Sequence, residues 1–322
     1  MENLSNLPVL ILAYNRYDKF LRCIKTLHSY GISNIFVSID GPKNHLDTKN
    51  QELIKDFCNK NNLGMKNIQL NFFEKNHGCR LGPIKGITWF FNQNDYGVVL
   101  EDDVILSKNC LQGFANLLKK YKNNSQFMSL SSFYEYCLNE TKRTYSIPVW
   151  RSWGWASWSD KWEEHLNFSE EIKKYNLIKL NNLLPKELRS IDTVNILKSC
   201  QLNLLDAWDY EFNFTHVAKN YSSLTFGGIN NFVYGFDKSA THTLDIEKMG
   251  IDFSSFRENN IDYSKNIVLD LESSKFILKK CGFSFGYKKG LIHFLNTYVK
   301  FIFFSILFKL RIIKRIIYRI MR

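Results

Sequence analysis

Four short apolar runs, each ending in polar residues, constrain this chain more than any other feature. Pro8-Val9-Leu10-Ile11-Leu12-Ala13-Tyr14 runs into Asn15-Arg16, and Ile35-Phe36-Val37-Ser38-Ile39 runs into Asp40-Gly41-Pro42. A third run, 68–73, precedes a glycine-bearing loop, Asn76-His77-Gly78-Cys79-Arg80-Leu81-Gly82-Pro83. The fourth, 97–100, meets Glu101-Asp102-Asp103. Continuous apolar runs of this length read as strands buried on both faces. Between them lie helical stripes: Phe20, Leu21, Ile24 and Leu27; then Leu53, Ile54, Phe57 and Cys58 in a helix over 49–61; then a helix over about 84–93. Such alternation builds a parallel sheet with helices on both faces. Ligands of such sheets lie beyond the carboxyl ends of the strands, where Asn15, Arg16, Asp40, His77 and residues 101–103 converge.

The acidic triplet is the most demanding of these ends. Three adjacent carboxylates repel one another, and a carboxylate at the tip of a buried strand is costly unless compensated. A divalent cation resolves the conflict, because Mg²⁺ and Mn²⁺ take oxygen ligands and Mg²⁺ commonly combines one or two carboxylates with substrate phosphates. No G-x-G-x-x-G follows the first strand and no G-x-x-x-x-G-K-[ST] occurs, so the crevice lacks a glycine phosphate cradle. A cation between carboxylates and a diphosphate would take that place.

Net charge narrows the partners. The formal charge of +12 resides entirely after Glu272, where twelve Lys and Arg occur with no acid. Residues 1–272 are neutral overall, which argues against a nucleic-acid footprint on the main domain. Seven scattered cysteines with no C-x-x-C fit a reducing, cytosolic compartment. The first residues have no basic n-region and no long apolar h-region, so no signal peptide is expected.

Further on, a helix over 110–121 and a strand over 127–131 are expected, then an aromatic concentration: Trp150, Trp153, Trp155, Trp158 and Trp162 are five of the seven tryptophans. These rings either stack on sugar faces or pack a loop rigidly. Segment 163–204 is polar and helical in pattern, and Leu204-Leu205-Asp206-Ala207-Trp208-Asp209 and Gly235-Phe236-Asp237…Thr241-His242 follow.

In this order, Asn15-Arg16, Ser38-Ile39-Asp40-Gly41, Leu100-Glu101-Asp102-Asp103, Gly154-Trp155-Ala156-Ser157-Trp158, Asp206-Ala207-Trp208 and the 235–242 motif resemble a GT-A fold glycosyltransferase over about residues 8–245. The likeness is to bacterial sugar transferases related to glycosyltransferase family 2 and to Golgi N-acetylglucosaminyltransferase I. It implies an α/β fold with a GT-A, Rossmann-like mixed sheet, and inverting transfer of a hexosyl or N-acetylhexosaminyl group from a nucleoside-diphosphate sugar, a UDP-sugar above all. By resemblance, Asp40 reads the nucleobase, Asp102 lies near the ribose, and Asp103 binds Mn²⁺ or Mg²⁺. Glu101 contacts the donor sugar, Gly154 and Trp155 line the sugar site, and Asp206 is the base. His242 meets the diphosphate and its metal from a closing loop. Asn15, Arg16, His77 and Arg80 complete the expected donor site. Relatives often carry serine where Ala207 stands, and the second acid, Asp209, leaves the base open between Asp206 and Asp209. Asp206 lies between Leu204, Leu205 and Trp208 in sequence, and an apolar wall there would raise its pKa.

The domain is expected to span 1–272, with a nucleotide-binding half at 1–108 and an acceptor and catalytic half at 109–272. Residues 273–322 form a basic tail. Within it Phe303, Ile306, Leu310, Ile313, Ile317 and Ile320 recur at helical spacing, and the uncharged stretch 301–308 is too short to span a bilayer. An amphipathic helix on anionic lipid fits 290–322, placing the enzyme on the cytoplasmic face of the plasma membrane, where a glycan or lipid-linked acceptor, such as a lipopolysaccharide precursor, is presented. Two other readings remain. A sugar nucleotidyltransferase would favour a glycine-rich, lysine-bearing loop after the first strand, and Leu12-Ala13-Tyr14-Asn15-Arg16 has none. A non-catalytic carbohydrate-binding protein at the membrane would suit the tryptophans but leave the acidic triplet unexplained.

Overall fold

The structure, a computed structural model, describes residues 3–132, 144–226, 231–233 and 268–269. The 235–243 motif with His242 and the tail 273–322 lie outside the described residues.

Strands β1 (Pro8–Ala13), β2 (Asn34–Ile39), β3 (Asn67–Phe72) and β4 (Tyr96–Glu101) alternate with helices α1 (Tyr17–Ser29), α2 (His45–Lys60) and α3 (Gly78–Phe91). The strands pair in parallel in the order β3-β2-β1-β4, with Val9 beside Ile35 on one side and Val98 on the other. Successive residues serve opposite faces. Val9, Ile11, Ile35, Val37, Val98 and Leu100 join the core under α1, while Leu10, Phe36 and Val99 join the core that holds Ile87 and Phe90 of α3. That two-sided burial is why these runs are apolar without alternation.

The second half continues with β5 (Val104–Leu106), α4 (Lys108–Lys120), β6 (Phe127–Ser131), β7 (Thr144–Ile147) and β8 (Trp155–Trp158). Helices α5 (Ser159–Ile172), α6 (Leu177–Leu183), α7 (Ile191–Gln201) and α8 (Asp209–Ala218) follow, then β9 (Ser222–Phe226), β10 (Asn231–Val233) and β11 (Val268–Leu269). The nine-stranded sheet runs β11-β7-β9-β6-β8-β4-β1-β2-β3. It is mixed, because β8 lies antiparallel to both β4 and β6. A separate ribbon pairs β5 with β10, setting Val233 opposite Val104, directly after the acidic triplet.

Three expectations change. Leu53, assigned to the apolar stripe of the second helix, is 46% exposed. The third helix begins at Gly78, so most of the glycine-bearing loop is its first turns, with Pro83 inside the helix. Trp155, expected to line a sugar site, is core: Trp150, Trp155, Trp158 and Trp162 are fully buried, and Trp150 packs edge-on against Trp155 and Phe212. Trp208 joins the same cluster. Trp150, Trp155, Trp162 and Trp208 fill the space between the sheet, α5 and α8, Trp158 lies in the opposite core with its Nε1 donating to the Leu118 carbonyl of α4 at 2.8 Å, and rings enclosed in this way present no stacking face to a sugar.

Candidate active site

The end of β4 brings Asp102 and Asp103 under cover, at 1% and 6% exposure. The Asp102 N–H donates to the Leu12 carbonyl at 3.0 Å, which ties this turn to the end of β1. Arg16, the residue preceding α1, reaches across. Its guanidinium donates to Asp103 Oδ2 at 2.8 Å and to Asp102 Oδ1. The arginine serves one oxygen of each carboxylate. The other two, Asp102 Oδ2 and Asp103 Oδ1, are buried with no hydrogen-bond partner among the described residues. Burial and the neighbouring carboxylates push Glu101 up to about 8 and Asp102 up to about 6, against the opposing pull of Arg16. Burial acts against the Arg16 charge, but Asp102 and Asp103 outweigh it and hold the guanidinium protonated.

Two orphaned carboxylate oxygens on adjacent residues, whose other oxygens share one guanidinium, are a hard-oxygen donor set that fits a divalent cation. Among the described residues no group of three or more His, Cys, Asp or Glu is gathered to hold an ion alone. The set therefore suits a cation that arrives with oxygens from a ligand, as Mg²⁺ does with phosphates.

A second pair of aspartates has the opposite character. The first turn of any helix leaves N–H groups unsatisfied. At α3 they are met from two distant loops. Asp40, after β2, accepts from the N–H of His77 at 2.9 Å and of Gly78 at 3.0 Å, and also from Gly41 N–H and Asn76 Nδ2. Asp206, before α8, accepts from the N–H of Cys79 at 2.9 Å and of Arg80 at 2.7 Å. Gly78 takes φ +80, and a Cβ there would lie 2.6 Å from Asp206 Oδ2, so glycine is required by both conformation and space. These partners explain why a glycine- and proline-bearing stretch is helical: the N-terminus is capped by tertiary contacts rather than by a local signal.

Several expected roles are revised by this geometry. The Asp40 carboxylate is occupied by backbone and amide donors, leaving little of its lone-pair capacity for a nucleobase. Asp206 is exposed, with Leu204 38% exposed, so among the described residues no apolar wall forms around it. Arg80 is 7% exposed, with its guanidinium bonded to Glu211 at 2.6 Å and to Asn203 at 3.1 Å. Trp155 is 1% exposed within the aromatic cluster. Its neighbour Gly154, at φ +81, would drive a Cβ to 2.5 Å from Leu106 Cδ2, so glycine both allows this backbone conformation and leaves room for the Leu106 side chain. Asn15 donates to Asp47 Oδ1 at 2.6 Å, and His77 packs edge-on against Phe73 with Nε2 3.2 Å from Lys85 Nζ.

Asp209 begins α8 and is half-buried, and its charge acts on Glu101 and on Tyr210, which also feels Arg151. Sequence reading missed Asp47. It is 4% exposed and accepts from Tyr14 OH at 2.7 Å, from Asn15, and from the Lys43 N–H at 3.0 Å. It thereby fixes the turn after β1 to the start of α2. The Asn44-x-x-Asp47 spacing, with Asn44 capping the Asp47 N–H, was the available signal.

Fold and crevice together define an α/β protein of the GT-A, Rossmann-like type, a mixed sheet with helices on both faces and acidic groups at the ends of the parallel strands. No protein-family model matches the chain, and no curated protein matches it. Solved structures do. One is a mannosyltransferase from Pyrobaculum calidifontis in complex with GDP-Man and Mn²⁺, at 9% identity over 67% of this chain and 69% of that one, TM-score 0.37. Another is the inositol-1-phosphate CTP transferase from T. maritima, at 9% identity over 76% and 94%, TM-score 0.39. A third is glucosyl-3-phosphoglycerate synthase from Mycobacterium tuberculosis in complex with Mn²⁺, UDP-glucose and phosphoglyceric acid, at 9% identity over 75% and 74%, TM-score 0.34.

Proposed function

We propose that this chain is a metal-dependent, inverting glycosyltransferase that moves a sugar from a nucleoside-diphosphate donor, a UDP-sugar, to a hydroxyl of a glycan or lipid-linked acceptor. The observation that carries the reading is the pair of buried, unpartnered oxygens on Asp102 and Asp103 at the carboxyl end of β4. Asp103 holds Mn²⁺ or Mg²⁺ with help from Asp102. When bound, the cation supplies Lewis-acid stabilisation of the charge that develops on the leaving diphosphate. Arg16 adds a fixed positive charge beside that position. Glu101, at the mouth of the same strand, contacts the donor sugar.

Proton removal from the acceptor hydroxyl is assigned to Asp209. Asp206 spends both oxygens on α3, whereas Asp209 stands half-buried in the first turn of α8. Inversion requires a carboxylate base on the face of the sugar opposite the leaving group, and Asp209 is proposed for that role. The basic segment 290–322 attaches the enzyme to anionic lipid, where a lipid-linked acceptor is met. Among the described residues no helix is long and apolar enough to cross a membrane.

The test is calorimetry with UDP and GDP, with and without Mn²⁺, followed by a panel of nucleotide sugars assayed for metal-dependent hydrolysis and transfer. Metal-dependent nucleotide binding and release of nucleoside diphosphate are expected. Pyrophosphate release from a nucleoside triphosphate and a sugar phosphate would instead identify nucleotidyl transfer, and failure to bind any nucleotide would end the proposal.

A further inference from the structure

Arg80 holds the two halves of the molecule together through its backbone and its side chain at once. Its N–H donates to Asp206 Oδ1 at 2.7 Å, its Nε to Glu211 Oε1 at 2.6 Å, and its Nη1 to Asn203 Oδ1 at 3.1 Å. The three acceptors bracket residues 203–211, with Asp209 inside the bracket. Each is itself oriented. Ser169 of α5 donates to the other Glu211 oxygen at 2.6 Å, so that carboxylate is fixed from two sides. Asn203 stands at φ +56 and ends α7: Leu204 N–H returns to the Ser199 carbonyl at 2.8 Å and Asn203 N–H to the Cys200 carbonyl at 3.0 Å. That left-handed turn is one asparagine tolerates, and its amide oxygen meets Arg80.

A buried ion pair is weak evidence of stabilisation, because desolvation offsets most of the attraction. Geometry is a better account of it. Glu211 and Asp209 share the first turn of α8, so gripping Glu211 fixes the start of the helix that carries Asp209. The planar guanidinium can serve Glu211 and Asn203 together, which a lysine ammonium does less well.

We propose that Arg80 is a positioning residue, a clamp that holds segment 203–211 and its Asp209 in register with the donor half. The proposal rests on the glycosyl-transfer reading above. A displacement of about 1 Å at a reacting group can cost about 10²-fold in rate, so the clamp is expected to act on kcat and to leave donor affinity alone.

The experiment compares Arg80→Met, Arg80→Lys, Glu211→Gln and Asn203→Ala with the parent, each assayed well below its own Tm. Donor affinity is read by calorimetry with UDP and Mn²⁺, and turnover as the rate of UDP release from a saturating UDP-sugar that the parent cleaves. Asn203→Ala changes an exposed residue, at the cost of some strain in its left-handed turn that the Tm reports, and keeps the clamp testable if the Arg80 and Glu211 variants fail to fold. The expected result is kcat lower by about 10²-fold in Arg80→Met, partly restored in Arg80→Lys and lowered least in Asn203→Ala, with donor Kd within about two-fold of the parent throughout. Unchanged kcat in folded Arg80→Lys and Asn203→Ala, or donor Kd that rises in step with the loss of kcat, overturns the clamp while leaving the parent activity in place. A parent chain that transfers no sugar from any donor overturns the underlying reading instead.

Discussion

The end of β4 and the start of α3 each hold two aspartates, and the two pairs are in opposite condition. At the end of β4, the adjacent Asp102 and Asp103 are buried, share one arginine, and each keep one oxygen without a partner among the described residues. At α3, Asp40 and Asp206 meet four successive backbone N–H groups, those of residues 77 to 80. A carboxylate whose oxygens are engaged by fixed donors is doing structural work. One that is buried and left with spare oxygen capacity is available for a ligand, because the protein bears its desolvation without full repayment. The comparison separates four similar residues into two tasks without reference to any relative.

The largest effect should follow from Asp103→Asn. Transfer should fall by about 10³-fold, the scale of losing a main electrostatic stabiliser, and Tm should stay level or rise in chelator because like-charge repulsion is relieved. A combined activity and thermal-melt series checks this, and retained metal-dependent activity would erase the distinction between the pairs.

Next come the two candidate bases. Asp209→Asn should lower kcat by about 10²–10⁴-fold with donor affinity unchanged. Asp206→Asn should instead show its main effect in a denaturant melt, at about 0.5–2 kcal/mol, the usual worth of a helix cap. If kinetics and melts give the reverse assignment, Asp206 is the base and its bonds to α3 must break during turnover.

Acid should expose a third set of polar groups unrelated to either pair. His165 and His216 are buried, at 1% and 0% exposure, and hydrogen-bond to Thr215 Oγ1 and Ser129 Oγ at 2.8 Å each. Burial lowers His165 to about 3, helped by His216, and His216 to about 4. Their folded pKa values lie below the unfolded value, so the unfolded chain binds more protons between pH 4 and 6.5 and stability falls as pH drops through that window. Each histidine should cost about 3 kcal/mol by pH 4. Denaturant melts of the parent from pH 7 to pH 4 read this directly, and a flat profile would contradict the buried, neutral assignment.

The smallest effect sharpens the α3 side alone. Gly78→Ala must strain a positive φ and crowd Asp206, so it should destabilise by about 1–2 kcal/mol. In the Asp206→Ala background part of that cost should disappear, and a double-mutant cycle with no coupling would show that the two residues do not press on one another.

The sequence by itself determined the β-α repeat, the parallel strand core and the acidic triplet at the tip of β4. Strand burial is written in the local run of apolar residues, and three adjacent acids after such a run are conspicuous in one dimension. The sequence also indicated that Asn15, Arg16, Asp40 and His77 gather at one edge, because parallel strands share a carboxyl end. Only the tertiary structure decided which carboxylates are spent. Asp206 caps a helix whose N–H groups lie 127 and 126 positions away, and Arg80 finds Glu211 at a separation of 131. Tertiary packing also decided that Trp155 is core, since a tryptophan looks the same in sequence whether it covers a sugar or fills a gap between sheet and helices. Local patterns encode burial because water acts on every residue separately, whereas hydrogen-bond pairing over such distances exists only once the chain has folded.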